Sequence, residues 1–164
     1  MINKATVSDA KAVVDFLNAV GGETDFLTFG ENDFPISVEE EQKIIADCLE
    51  RDTNLMLVAK INQVIVSQLF LDVSTQPRLS HIGHLGLSVS KAHWGKSIGS
   101  QMLEQSIDWA KKKRLSKLQL QVRTDNHQAI KLYEKFGFVC EGKITQALKI
   151  QQHFYDEFVM GLTL

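Results

Sequence analysis

The chain has only two cysteines, Cys48 and Cys140, and they lie far apart. That excludes a CxxC pair and a disulfide framework. An excess of positive charge is missing too: 18 Lys and Arg stand against 20 Asp and Glu, a net charge of −2. A general nucleic-acid binder would be basic, so no nucleic-acid partner is expected. No stretch approaches eighteen consecutive apolar residues, so no membrane span is predicted. The opening MINKATVSDAKAVVDF lacks an apolar run long enough for a signal peptide, and the expected location is the cytoplasm. No internal repeat, low-complexity tract or linker divides the chain. Its 164 residues, 44% hydrophobic and 23% charged, read as a single domain over 1–164 with a sizeable core.

Two familiar phosphate motifs are also absent. Gly95-Lys96-Ser97 has the ending of a nucleotide-binding P-loop, but the glycine required five positions earlier is replaced by Ser90. The dinucleotide fingerprint GxGxxG is missing.

What is present centres on Leu85 to Lys113. Leu87 and Val89 begin this stretch with strand character. A short polar turn with Gly95 and Gly99 follows. Ile98, Met102, Leu103, Ser106, Ile107 and Ala110 then recur at three- and four-residue steps, one face of a helix. The first amides of a helix have no internal partner, and the helix dipole is positive there. Glycine permits close approach, and Lys96 adds charge beside those amides. Such a turn suits a diphosphate. It also suits an ordinary strand-to-helix connection with no ligand.

The remaining elements follow from local signals. Residues 2–7 form a short strand. Ser8 is the expected cap of a helix whose stripe is Ala12, Val13, Phe16, Leu17 and Val20, with Gly21-Gly22 ending it. Residues 23–35 are irregular and hold Glu23, Asp25, Glu31 and Asp33 among phenylalanines. Ser37-x-x-Glu40 is a capping box for a second helix to about Arg51. Strands at 55–60 and 63–73 form a hairpin near Asn62. A strand over about 80–90 leads into the central turn. Residues 117–123 alternate as a strand, and Asp125-x-x-Gln128 is the expected cap of a helix through Phe136, with Gly137 at its end. Strands near 138–143 and 153–162 finish the chain. This order gives an α/β chain with a mixed sheet and helices on both faces.

Two motifs carry a family resemblance. Val89 to Ser100, VSKAHWGKSIGS, resembles the coenzyme A diphosphate loop of the GNAT N-acetyltransferases, Gln/Arg-x-x-Gly-x-Gly/Ala after an apolar strand. Trp94 stands at the Gln/Arg position, Ser97 at the first glycine and Gly99 at the second, so the chain departs at two marked positions. Asn126 to Phe138, NHQAIKLYEKFGF, is similar to the family's Asn-x-x-Ala-x-x-x-Tyr-x-x-x-Gly-Phe at Asn126, Ala129, Tyr133, Gly137 and Phe138. The resemblance covers roughly residues 80–162. It implies the acyl-CoA N-acyltransferase fold, with a mostly antiparallel central sheet and a parallel, splayed pair at 82–90 and 117–122. It implies acetyl-CoA as co-substrate and a homodimer as the family expectation.

The activity implied is N-acetyl transfer to a primary amine of a small molecule or peptide. The alternative is a noncatalytic acyl-CoA-binding module on the same fold. The cofactor-binding residues implied are Leu87, Ser88, Val89, Trp94, Gly95, Lys96, Ser97, Ile98, Gly99, Ser100, Asn126, Ala129 and Tyr133. Backbone amides near Leu87 and Val89 would polarise the thioester carbonyl. Tyr133, a phenol with an ordinary pKa near ~10, would protonate a thiolate whose conjugate acid lies near ~8.5. Packing on Leu132 and Phe136 is its structural alternative, and helix capping is that of Asn126. For the base that deprotonates the amine, Glu23, Asp25 and His84 are the candidates. Each is also readable as a plain loop acid or strand histidine. The acids at 23–33 hint at a cationic acceptor such as a polyamine, an aminoglycoside or a peptide N-terminus. His81 and His84, three apart on a strand, point to opposite faces, and no metal is expected.

Overall fold

The computed structural model describes residues 1–164. Its elements follow the expected order. They are β1 (Ile2–Lys4), α1 (Ala10–Glu23), α2 (Val38–Arg51), β2 (Leu55–Ile61), β3 (Val64–Val73), β4 (Ile82–Val89), α3 (Ile98–Lys112), β5 (Lys117–Arg123), α4 (His127–Lys135), β6 (Val139–Ile150) and β7 (His153–Thr163). The strand order is β1-β2-β3-β4-β5-β7-β6. β4 and β5 run parallel, whereas β1–β2, β2–β3, β5–β7 and β6–β7 are antiparallel. The parallel register joins Ile82–His84 to Lys117–Gln119, although β4 continues to Val89. This is the parallel pair within a mostly antiparallel sheet that the resemblance implies. Two compact units divide the chain: residues 1–72 with 86–106, and residues 73–85 with 107–164.

The first unit is built on α1, α2 and the β2–β3 hairpin. Val13, Phe16, Leu17 and Val20 of α1 are buried with Ile45 and Cys48 of α2 and Met56, Val58 and Ile65 of the hairpin. Asn62 and Gln63 at the hairpin tip have φ of 50° and 67°, the left-handed pair that matches the twist of two antiparallel strands. Ser37 caps α2 as expected, accepting from the Glu40 amide at 3.2 Å while Glu40 Oε2 accepts from the Ser37 amide at 2.8 Å.

Three expectations need correction here. Ser8 does not cap α1. A 3-10 turn at Val7–Asp9 precedes the helix, and Asp9 Oδ2 accepts from the amide and hydroxyl of Thr6 at 2.9 and 2.8 Å. Ala12 is exposed, and Val14 is buried beside Val13. Gly21-Gly22 does not end the helix, which runs on to Glu23. A Cβ on Gly21 would sit 2.2 Å from the carbonyl oxygen of Gly30. The glycine is therefore there so that residues 24–36 can fold back on α1, a tertiary reason that helix punctuation cannot reveal.

In the second unit Leu118, Leu120 and Val122 of β5, Met160 of β7, Tyr133 of α4 and Phe138 are all buried. Asp125 does not cap α4. Asn126 does, its Oδ1 accepting from the Ala129 amide at 3.2 Å. Asp125 instead receives the Arg123 guanidinium through two contacts, at 3.0 and 2.6 Å. Gly137, at φ 89°, ends the helix as predicted. Its amide donates to Glu134 O at 2.9 Å and the Phe138 amide to Tyr133 O at 3.1 Å, the paired bonds of a Schellman closure. β6 runs to Ile150 rather than stopping at 143. Its register breaks between Ile144 and Leu148, where Gln146 has φ 53°, and that break hides the second half of the strand from a period-two reading.

Candidate active site

In the first unit, β4 delivers the chain to the turn. Leu87, Ser88 and Val89 are half-buried. The strand end is pinned to β3, since the Ser90 amide donates to Val66 O at 2.9 Å and the buried Ser67 hydroxyl donates to Ser88 O at 2.7 Å. A 3-10 turn follows at Lys91–His93. The Lys91 amide donates to Glu23 Oε2 at 2.6 Å, so the last residue of α1 holds the beginning of the turn. The Ser90 hydroxyl and His93 Nδ1 are 2.7 Å apart. The Trp94 indole N–H donates back to Val89 O at 2.8 Å, closing the loop on its own strand.

Past Trp94 the backbone twice turns left-handed, at Gly95 (φ 74°) and Ser97 (φ 60°), and α3 opens at Ile98. Its first turn contains no acid. The amides of a first helical turn lack intrahelical partners, and backbone that reverses handedness presents successive N–H groups to one side. Together with exposed Lys96, this arrangement can hold an anion with two phosphates. Ser97 stands where the family motif has glycine, and it adopts the conformation for which glycine is used.

In the second unit, Tyr133 lies seven residues beyond the capping Asn126. It is 8% exposed, its ring 5.8 Å from that of Phe138, and burial pushes its pKa up to about 12. The chain matches the acetyltransferase (GNAT) family over residues 23–138. It belongs to that family. The L-amino acid N-acetyltransferase AaaT of Escherichia coli (strain K12) is 34% identical over 109 residues, which are 64% of this chain and 65% of that one. The chain thus spans slightly less than two thirds of that curated relative's length. A solved acetyltransferase of the GNAT family from Streptococcus pneumoniae superposes with a TM-score of 0.95 at 33% identity, covering 100% of this chain and 98% of its own. The fold is shared also by yncA from Salmonella typhimurium, a structure described with its cofactor acetyl-CoA, at TM-score 0.87 and 19% identity, covering 99% of this chain and 92% of its own.

The other residues expected at the site of this GNAT chain lie in different settings. Glu23, named above as a base, has a carboxylate oxygen bonded to the Lys91 amide. His84 is exposed on β4, in register with Gln119. Asp25 is exposed in the loop after α1. Asn126 Oδ1 is used in capping, and the Ala129 amide is its donor. No group of three or more His, Cys, Asp and Glu side chains comes together in a way that could hold a metal.

Two features escaped the sequence reading. Arg123 is only 4% exposed, and its guanidinium carbon lies 3.7 Å from the centre of the Tyr155 ring. Buried Glu157 is its cross-strand partner on β7; burial raises the Glu157 pKa, and the Arg123 charge works against the rise. The other feature is Glu41 on α2, 2% exposed, with burial raising its pKa. Its spacing with Ile45 and Cys48, four and seven residues on, is the one signal that could have shown it facing inward.

Proposed function

We propose that this chain transfers an acetyl group from acetyl-CoA to a primary amine. The observation that carries the reading is the turn from Ser90 to Ile98, where two left-handed residues lead into an acid-free helix start. Membership of the acetyltransferase (GNAT) family supports it, as does the amine acceptor in the name of the Escherichia coli relative. Acetyl-CoA supplies the acyl group already activated as a thioester. Over the reaction a C–N bond forms and the C–S bond breaks. One proton leaves the ammonium, one leaves the attacking nitrogen, and one is taken up by the departing thiolate.

Each residue then has a task. The amides from Gly95 to Ser100, with Lys96, hold the diphosphate. Ser88 and the amides of Leu87 and Val89 line the pantetheine end, and the amides donate to the thioester oxygen as negative charge develops there. Glu23 and Trp94 are positioning residues, since both fasten the turn. Tyr133 keeps its proton on the phenol oxygen at neutral pH. A pKa of about 12 makes it a weaker acid than an ordinary phenol. It therefore serves first as the hydrogen-bond donor that steadies the developing thiolate, and the proton follows. Asn126 and Ala129 act through the start of α4, which carries Tyr133. His84 and Asp25 are kept as relays for the amine proton through water. The family match runs through both compact units, which supports one functional domain over 1–164. A homodimer and a cytoplasmic location complete the proposal; no helix is long and apolar enough to cross a membrane.

The test is calorimetric titration with acetyl-CoA, ATP and NAD, followed by thiol-release assays with a panel of primary amines. Saturable binding of acetyl-CoA alone, with thiol release that depends on an amine, is the expected result. Absence of acetyl-CoA binding would remove the reading.

A further inference from the structure

Glu41 is the most anomalous polar group in the first unit. It is 2% exposed, and its Oε1 is buried with no hydrogen-bond partner. Burial is the only cause acting on its pKa, and burial raises it. The other acids of this first turn, Glu39 and Glu40, are exposed, and Glu40 is satisfied by Ser37. Deeper on the same face, the Cys48 thiol is pushed up to about 11, by burial first and then by the carboxylates of Asp47, Glu41 and Asp72. A carboxylate kept in such surroundings without a cation is costly, and a buried apolar residue would serve packing better.

The path of the chain shows where this carboxylate lies. α1 and α2 pack on each other. The start of α2 is tied to the end of α1, because the Phe34 amide donates to Asn18 Oδ1 at 3.1 Å and Gly30 lies against Gly21. The end of α2 is tied to the beginning of the chain, through Asp52 and Lys4 at 2.9 Å. The two helices are therefore antiparallel. Glu23, at the end of α1, bonds to Lys91 at the start of the turn after β4. Glu41, in the first turns of α2, thus sits at the end of the unit that carries β4's last residues and the diphosphate turn.

We propose that Glu41 is the recognition residue for the ammonium of the acceptor, which supplies the cation the protein itself does not. The inference rests on the transfer reading above and deepens it by naming the side chain that meets the acceptor's ammonium. A charge pair formed in dry surroundings is strong because little water competes with it. The same carboxylate orients the nitrogen before its proton is lost.

The experiment compares wild type with Glu41→Gln and Glu41→Asp. Removing an uncompensated buried charge favours folding, so the Gln variant is expected to remain folded with a raised melting midpoint. The first readout needs no acetyl-CoA: the side-chain carboxyl 13C resonance of Glu41 is followed during titration with ethylammonium, L-alaninamide and spermidine, with tetramethylammonium as control. At least one primary ammonium is expected to shift it saturably, and tetramethylammonium is not. The second readout is kinetic. With whichever amine supports thiol release, Glu41→Gln is expected to raise KM for the amine at least tenfold. Acetyl-CoA affinity should stay within twofold, and Glu41→Asp should recover part of the loss. No ammonium-dependent shift, or an unchanged amine KM in Glu41→Gln, would overturn the assignment. If wild type fails to bind acetyl-CoA, the transfer reading falls, while the ammonium titration still decides Glu41.

Discussion

The turn after β4 and the start of α4 are built from different parts of the chain. The turn is made of backbone. In the proposed function its donors are amides; its Trp94 side chain closes it on Val89 O. The α4 region is made of side chains. Asn126 caps the helix, Tyr133 supplies a buried phenol, Phe138 packs on it, and Gly137 allows the closure between them. A backbone site tolerates changed residues as long as the dihedral angles hold. A side-chain site does not. The first motif departs from its family at Trp94 and Ser97, while the second matches at all five positions, the pattern expected if the proposed turn binds through its backbone.

Tyr133→Phe breaks the comparison hardest. Loss of a positioned proton donor costs about 10²-fold or more in rate. The expected result is kcat lowered by at least that factor, with acetyl-CoA binding unchanged by calorimetry. A variant with full rate would show that the phenol is only packing. Its pKa offers a second handle. In the folded chain the phenol ionises at about 12, whereas an unfolded tyrosine ionises near ~10. The stability that this group contributes is therefore present below pH ~10 and is lost as pH rises through the folded value, by up to about 3 kcal/mol. Denaturant unfolding at stepped alkaline pH should show wild type losing this increment and Tyr133→Phe lacking the loss.

Most of the fold was legible because it is written locally. The Ser37–Glu40 box, the Asn62 turn, the α3 stripe and the Gly137 stop each depend on residues within a few positions. What escaped was decided at a distance. Gly21 answers to Gly30, and Glu23 answers to Lys91, sixty-eight positions on. Asp125 prefers the Arg123 guanidinium to a helix amide, which leaves the cap to Asn126. Of the candidate site, the left-handed turn before α3 and the helix that carries Tyr133 were legible from motif and periodicity. The burial of Glu41 and the stacking of Arg123 on Tyr155 were not, since both depend on what the fold brings against them.

Asn126→Ala gives a medium effect on the side-chain half. It removes the acceptor for the Ala129 amide, and loss of such a cap costs about 1 kcal/mol. Chemical denaturation should show that loss with an unchanged m-value. Because the cap sits two turns before Tyr133, kcat should fall modestly while acetyl-CoA affinity holds. A collapse of affinity would mean that Asn126 touches the cofactor directly.

The smallest effect sharpens the backbone half. Ser97 has φ 60°, a left-handed angle that costs an L-residue about 1–2 kcal/mol. Ser97→Gly relieves that strain, against a chain-entropy cost of about 0.5–1 kcal/mol. The net expectation is a gain of roughly 0.5 kcal/mol in stability. Acetyl-CoA affinity should stay within twofold, since every amide of the turn remains. Gly95→Ala is the mirror case. A Cβ there meets nothing within 4 Å, so only the left-handed φ of 74° penalises it. It should lose about the strain energy of one left-handed residue, roughly 1–2 kcal/mol. If instead Ser97→Gly weakened acetyl-CoA binding tenfold, the serine hydroxyl would be a ligand in its own right. The turn would then be a side-chain site like α4, and its departure from the family motif would be a substitution of function rather than a tolerated change.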